Sequence, residues 1–81
     1  MQIGVEISLY PLRGEYIPPI KDFIDRLNAA GEFRVQTNTM STQVFGEYDR
    51  ILAVLQREMR SSFEKDGKCI FVMKVLGPLA D

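Results

Sequence analysis

Hydrophobic and polar residues alternate at the start of the chain. One face of this extended segment carries four apolar residues, Ile3, Val5, Ile7 and Leu9. The period of two predicts a half-buried β-strand over residues 3–10. Pro11 is expected to stop the pairing, because proline has no amide hydrogen.

Two later segments have the three- and four-residue spacing of amphipathic helices. The first begins at the pair Pro18-Pro19, and Gly31 is its expected C-cap. The second follows Gly46-Glu47-Tyr48-Asp49 and ends near Asp66-Gly67. Their apolar stripes are Ile20, Phe23, Ile24 and Leu27 in the first helix and Ile51, Leu52, Leu55, Met59 and Phe63 in the second.

Three more segments have strand character. Residues 33–38 and 40–45 are separated by so little chain that they are expected to pair as a hairpin, and residues 68–76 are rich in Phe, Ile and Val. With right-handed crossovers, the order strand, helix, strand, strand, helix, strand predicts an α+β fold. We therefore expect a single domain over residues 1–81, a ferredoxin-like βαββαβ plait. Its antiparallel sheet has strands one and three at the centre and both helices on one face.

Composition excludes several kinds of function. The net charge is −1, there is one cysteine, and there is no histidine. Intrachain disulfides, imidazole catalysis and most zinc sites are thereby excluded, and nucleic acid is a poor default partner. The sequence has neither a signal-peptide pattern nor an apolar run long enough to span a membrane. These features predict a cytoplasmic protein with no metal, no nucleic-acid partner and no membrane partner.

Small polar side chains are densest in the central segment Thr37-Asn38-Thr39-Met40-Ser41-Thr42-Gln43. Hydroxyls and amides both donate and accept hydrogen bonds, which suits a nitrogen heterocycle, and a carboxylate such as Glu47 or Glu6 could pair with a cation. A structural explanation is also open. Ser and Thr are good strand formers, and an acidic residue at position 47 suits a helix N-terminus.

The last predicted strand has apolar residues on both faces, so the sheet face away from the helices is expected to be apolar. Such a face favours a second subunit, and a pocket at that seam would be dry. Cys69 is interpreted as a small buried hydrophobe. Four aromatic residues could stack on a ring or belong to the core: Tyr10, Tyr16, Phe45 and Tyr48.

Three pieces of the chain resemble the thiamine-binding (YkoF-related) domain family. They are Ile7-Ser8-Leu9-Tyr10-Pro11-Leu12, residues 37–48 with their Val44-Phe45-Gly46-Glu47-Tyr48 ending, and Ser62-Phe63-Glu64-Lys65 with Val72-Met73-Lys74-Val75. The resemblance implies a ferredoxin-like domain that binds thiamine or its hydroxymethylpyrimidine moiety for transport, salvage or sensing. It also implies no catalytic activity, no further cofactor, and homo-oligomers, dimers or tetramers, formed through sheet faces or edges.

Carried over by position, the resemblance implies a set of ligand-binding residues. The polar contacts are Ser8, Asn38, Thr39, Ser41, Thr42 and Glu47, and the apolar walls are Tyr10, Met40 and Phe45. A carboxylate near the cationic thiazolium of thiamine would add attraction that a neutral hydroxymethylpyrimidine lacks. The position of Glu47 therefore bears on which of the two ligands is favoured.

Other functions remain open from the sequence. A structural assembly module would use the same sheet face without a ligand. An RNA-binding plait needs central-strand aromatics in a basic setting, which this chain lacks. A phosphate-cradling enzyme such as an acylphosphatase needs an arginine in a glycine-rich loop, whereas Arg13-Gly14 has one glycine and is followed by Glu15.

Overall fold

The computed structural model describes residues 1–79 and contains six elements in the order β-α-β-β-α-β. The strands are β1 (Gln2–Pro11), β2 (Arg34–Thr37), β3 (Thr42–Glu47) and β4 (Cys69–Leu76), and the helices are α1 (Ile17–Ala30) and α2 (Tyr48–Asp66). The sheet order is β2-β3-β1-β4, and every neighbouring pair is antiparallel. The predicted α+β ferredoxin-like fold is confirmed, with β1 and β3 at the centre.

The core lies between the helices and one face of the sheet. The alternation in β1 is confirmed, because its four odd-numbered apolar residues from Ile3 to Leu9 are all buried. They pack with the buried residues of the other elements, which are Val44 of β3, Phe23 and Leu27 of α1, and Ile51, Val54 and Leu55 of α2. Neither helix within residues 1–79 is long and apolar enough to cross a membrane.

The expectation that Pro11 stops the pairing is wrong. β1 stays paired with β4 up to the Pro11–Cys69 pair, and the Leu12 amide then donates to the carbonyl of Lys68 at 3.3 Å. In an antiparallel strand, successive residues direct their backbone groups to opposite sides. The even-numbered residues of β1 direct their backbone amides and carbonyls towards β4. Pro11 is odd-numbered, so its missing amide lies on the other side of the strand and removes no hydrogen bond between β1 and β4.

The buried stripe of α2 differs from the predicted one in its second half. Glu58 and Ser62 are buried, whereas Phe63 is 49% exposed and packs its ring against Phe71. The Arg26 guanidinium explains the difference: it donates to the Glu58 carboxylate at 2.7 Å and to the Ser62 hydroxyl at 2.8 Å. The buried face of α2 is therefore apolar in its first half, and in its second half it is formed by polar residues that bind Arg26 of α1.

The predicted hairpin is confirmed, but its loop is longer than Asn38-Thr39. The Oδ1 atom of Asn38 accepts hydrogen bonds from the amides of Met40 and Ser41, at 2.8 and 3.1 Å. These bonds hold residues 38–41 as a loop, so β3 begins at Thr42 rather than at Met40.

The helix ends follow the predicted signals. Gly31 has the left-handed φ of 71° and donates its amide to Asn28, which closes α1. Helix α1 begins at Ile17, one residue before the proline pair. Gly67 closes α2 with a φ of 77°.

Candidate functional site

A cavity of about 440 Å³ lies between the end of β1, the first half of α1 and the β2–β3 loop. Its existence follows from a difference in strand length. β3 pairs with β1 only as far as Ile7, whereas β1 continues to Pro11 along β4. The last residues of β1 therefore have no neighbouring strand on the β3 side, and the cavity occupies that place.

Most of the predicted ligand-binding residues lie together at this cavity. Two come from β1 and the others from the hairpin: Ser8, Tyr10, Asn38, Thr39, Met40, Ser41 and Thr42. The tyrosine and the methionine are largely exposed, so they stand at the opening. The sequence-based set thus forms one group in space, apart from Phe45 and Glu47.

Phe45 lies away from the cavity, on the sheet face opposite the helices. The Arg34 guanidinium lies 4.2 Å from the centre of its ring. The ring also lies against Gly4, where a Cβ atom would come within 3.0 Å of it. Phe45 lines a separate, shallow hollow of about 260 Å³ with Glu6 and Lys74.

Glu47 also lies away from the cavity, and it caps α2. Its Oε1 atom accepts hydrogen bonds from the amides of Asp49 and Arg50, at 3.1 and 3.2 Å. These two bonds hold the pKa of the Glu47 carboxyl below its ordinary value of 4.5. The strand places Glu47 five residues beyond Thr42, a separation of about 16 Å at the usual rise. The structural explanation for this glutamate, an acidic residue at a helix N-terminus, therefore accounts for its contacts.

The hairpin uses some of its polar groups to hold its own shape. The hydroxyls of Thr37 and Thr42 are 3.2 Å apart, and the Ser41 hydroxyl donates to Glu6 at 3.1 Å. Within residues 1–79, no hydrogen bond involves the Nδ2 amino group of Asn38 or the Thr39 hydroxyl, whereas Oδ1 of Asn38 is used within the loop. Those two groups are free to meet a ligand.

Leu9 lies on the open edge of β1 and lines the cavity. The odd-numbered residues of β1 direct their amides and carbonyls towards β3, as the bond from the Tyr48 amide to the Met1 carbonyl shows. Beyond Ile7 there is no β3 residue to receive them. Within residues 1–79, the Leu9 amide and carbonyl therefore lack a hydrogen-bond partner, although Leu9 is only 7% exposed and lines the cavity.

Sequence reasoning missed the wall that α1 supplies. Ile20, Phe23 and Ile24 line the cavity together with Pro11, and they adjoin Tyr16, which the sequence had marked as a candidate for stacking. The feature of the sequence that could have indicated this wall is the width of the apolar stripe of α1. Ile24 belongs to that stripe but is not part of the buried core, so it remains available to the cavity.

The outer face of the sheet is apolar along β4, as predicted. Ile70, Val72 and Leu76 are 48%, 51% and 67% exposed, and Tyr10 beside them is 53% exposed. Glu6 and Lys74 lie on the same face, with 3.9 Å between the carboxylate and the ammonium. This face would need a partner to remove it from water.

The loop after β1 does not form a phosphate cradle. The Arg13 side chain donates to the carbonyl of Glu15 at 3.0 Å, and its guanidinium lies 4.0 Å from Asp66. Arg13 does not line the cavity. The geometry expected of an acylphosphatase-like enzyme is therefore missing at this loop.

The profile of the YKOF-related family matches residues 2–75. The chain belongs to this family. A search of curated proteins finds no match.

Several solved structures have the same fold as this member of the YKOF-related family. A Thermotoga maritima protein, provisionally described as a thiamine biosynthesis or salvage protein, superposes with a TM-score of 0.85 at 16% identity, covering 93% of this chain and 82% of that one. A Streptococcus pneumoniae protein has a TM-score of 0.76 at 18% identity, with 98% and 90% covered. A hypothetical Methanocaldococcus jannascii protein has a TM-score of 0.75 at 18% identity, with 99% and 84% covered. At these identities the likeness concerns the fold.

Proposed function

We propose that this protein binds thiamine or its hydroxymethylpyrimidine moiety in the cavity beside Leu9, without transforming it. Membership of the YKOF-related family and the description of the Thermotoga maritima neighbour support a thiamine-related role. The observation that carries the proposal concerns Leu9, a nearly buried residue that lines the cavity and whose amide and carbonyl have no partner within residues 1–79.

The chemistry of an aminopyrimidine matches this strand edge. Its ring nitrogen accepts a hydrogen bond and the adjacent amino group donates one, while Leu9 offers one donor and one acceptor along the open side of β1. A buried polar pair without partners is costly, so a ligand that satisfies both gains that free energy. The Nδ2 amino group of Asn38 and the Thr39 hydroxyl can meet a further substituent such as a hydroxymethyl group.

The apolar wall suits a flat ring. Ile20, Phe23 and Ile24 form the side of the cavity facing α1, and Tyr16 stands at its edge. A heteroaromatic ring slotted between this wall and the hairpin would bury apolar area on one face while its edge is paired with the strand. No general base or nucleophile is required of such a site, which fits a binding protein for transport, salvage or sensing.

Calorimetry and thermal shift with thiamine and hydroxymethylpyrimidine test the proposal. We expect saturable binding and a rise in Tm that grows with ligand concentration. The Ile24→Trp variant adds volume to the cavity wall and should weaken binding strongly. Ile17→Trp is the matched control, because Ile17 lies on the same helix, is 64% exposed and does not line the cavity.

Hydrogen exchange locates the ligand independently. The Leu9 amide should exchange faster than its paired neighbours in the free protein and become protected on binding. Absence of binding by either compound at saturating concentration would overturn the proposal. Binding that leaves the Leu9 amide unprotected and is indifferent to Ile24→Trp would place the ligand elsewhere and overturn the assignment of the site.

The apolar outer face of the sheet is proposed to bind a second copy of this chain. Glu6 and Lys74 lie side by side on this face, so two copies related by a two-fold axis would meet opposite charges as well as apolar strands. Sedimentation should show a dimer or tetramer that Val72→Asp dissociates. Ile17→Asp, on α1, should leave the assembly intact. A monomeric wild-type chain would contradict this part of the proposal.

A further inference from the structure

The cavity is lined without a single charged side chain. Among residues 1–79, none of those lining it is Asp, Glu, Lys or Arg. An ion that loses water without gaining an opposite charge or several strong donors pays a large desolvation penalty. A phosphate group is an anion, and no lysine or arginine among these lining residues would offset the penalty of burying it.

Two cations, one in the loop after β1 and one on β4, are each paired with a carboxylate away from the cavity. Arg13, two residues after Pro11, lies 4.0 Å from the Asp66 carboxylate and also donates to a backbone carbonyl. Lys74 lies 3.9 Å from Glu6 on the outer face of the sheet. Neither side chain lines the cavity.

The N-terminus of α1 has fewer amide donors for an anion than a helix N-terminus usually offers. Its N-cap, Tyr16, lines the cavity, so the free amides of the first turn would ordinarily attract a phosphate there. The second and third residues of the helix are Pro18 and Pro19, which have no amide hydrogen. Two of the four donors of a helix N-terminus are thus absent.

The carboxylate of Glu6 lies next to the part of the hairpin that lines the cavity. The Ser41 hydroxyl lines the cavity and donates to the Oε2 atom of Glu6 at 3.1 Å. Because the single hydrogen of this hydroxyl is donated to Glu6, the hydroxyl can act only as a hydrogen-bond acceptor towards a ligand. A phosphate next to Ser41 would therefore meet a hydrogen-bond acceptor and, behind it, a negative charge.

We propose that the cavity selects unphosphorylated ligands and rejects their phosphate esters. The inference rests on the proposed function, because it concerns which thiamine-related compounds the same site accepts. It commits the protein to the free vitamin or the free hydroxymethylpyrimidine. The paired esters, thiamine monophosphate and hydroxymethylpyrimidine monophosphate, should bind at least about 100-fold more weakly.

Calorimetry on the full chain with these four compounds tests the proposal, with inorganic phosphate as a check on nonspecific anion binding. Tight binding of either unphosphorylated compound together with weak or undetectable binding of its ester is the expected result. Equal affinity for a compound and its ester would overturn the selectivity and leave the proposed function standing. Failure of all four to bind would overturn both.

A gain-of-function variant separates charge from size. Thr39→Lys places an ammonium group on the exposed hairpin loop at the cavity and should strengthen ester binding at least about tenfold relative to the unphosphorylated compound. Gln56→Lys, on the exposed side of α2, adds the same charge away from the cavity and should leave the ratio unchanged. An equal ratio in the two variants would show that the esters are excluded by something other than charge and would overturn the proposal.

Discussion

The Arg26→Met substitution tests the polar link between the two helices. Arg26 donates to the Glu58 carboxylate, the Glu58 carbonyl, the Ser62 hydroxyl and the Asp22 carboxylate, at distances from 2.7 to 3.1 Å. Methionine preserves most of the apolar stem and removes every one of these bonds. Because the Glu58 side chain is 10% exposed, its carboxylate would then be left largely buried with one partner fewer.

The expected cost follows from the surroundings of Glu58. Removing one partner of a buried ion pair typically costs about 3–5 kcal/mol. Here the Arg57 guanidinium remains 2.8 Å from the other carboxylate oxygen, although Arg57 is itself 62% exposed. We therefore expect a loss of about 2–3 kcal/mol in the free energy of unfolding, which lowers Tm by about 10–20 °C in a domain of this size.

Urea unfolding followed by circular dichroism measures this loss. The matched control is Lys21→Met, which removes a cation of the same helix from an exposed pair with Asp25 and should cost less than about 0.5 kcal/mol. The double variant Arg26→Met/Glu58→Met should recover a substantial part of the loss, because no charge is then left buried. If Arg26→Met costs no more than Lys21→Met, the link contributes nothing to stability and the reasoning is refuted.

Three further predictions concern packing, pH and the thiol. Gly46→Ala places a methyl group 2.6 Å from a neighbouring aromatic ring and should destabilise the fold by about 1–3 kcal/mol in urea titrations, whereas Gly14→Ala, which meets open space, should be nearly neutral. Burial alone would raise the pKa of Glu58, but hydrogen bonds from two arginines outweigh it and hold the pKa below 4.5. The ionised Glu58 carboxylate contributes fully to stability above pH 4.5, and this contribution is lost as pH falls through the lowered pKa. The free energy of unfolding, measured from pH 5 to 3, should therefore fall less in Arg26→Met than in the wild type. Parallel falls in the two proteins would contradict this. Burial raises the pKa of Cys69 above 9.0, so iodoacetamide at pH 8 should label it more slowly in the native protein than in urea, and equal rates would contradict that.

The topology could be predicted from the sequence because the apolar periods are unambiguous. The alternation from Ile3 to Leu9 and the helical spacing of α1 and α2 each match one secondary structure, and Gly31 and Gly67 mark the helix ends. The second half of α2 could not be predicted in the same way. Burial of Glu58 depends on an arginine 32 residues earlier in the chain, and a periodicity of apolar residues carries no sign of that pairing.

The candidate site could be predicted where it depends on side chains in the hairpin, and it was missed where it depends on the backbone. The small polar residues of the loop can be recognised in the sequence from their residue types alone. The open edge of β1 does not, because Leu9 looks like any core residue and only the register against β3 shows that its amide and carbonyl are unpaired. Glu47 shows the opposite case, in which a residue type suited to a cation serves as a helix cap.

The shortness of β3 connects the fold to the proposed function. A ferredoxin-like sheet with equal strands would pair both sides of β1 along its whole length and leave no polar groups to offer at this end. Here the Asn38 side chain holds the hairpin as a loop from 38 to 41, and β3 therefore begins too late to cover Leu9. The neighbouring helix wall is apolar and the helix N-terminus lacks two amides, so the unpaired amide and carbonyl of Leu9 are the backbone groups that the strand leaves open at this end. Under the proposed function, a flat ring with an adjacent donor and acceptor would complete the sheet at this edge.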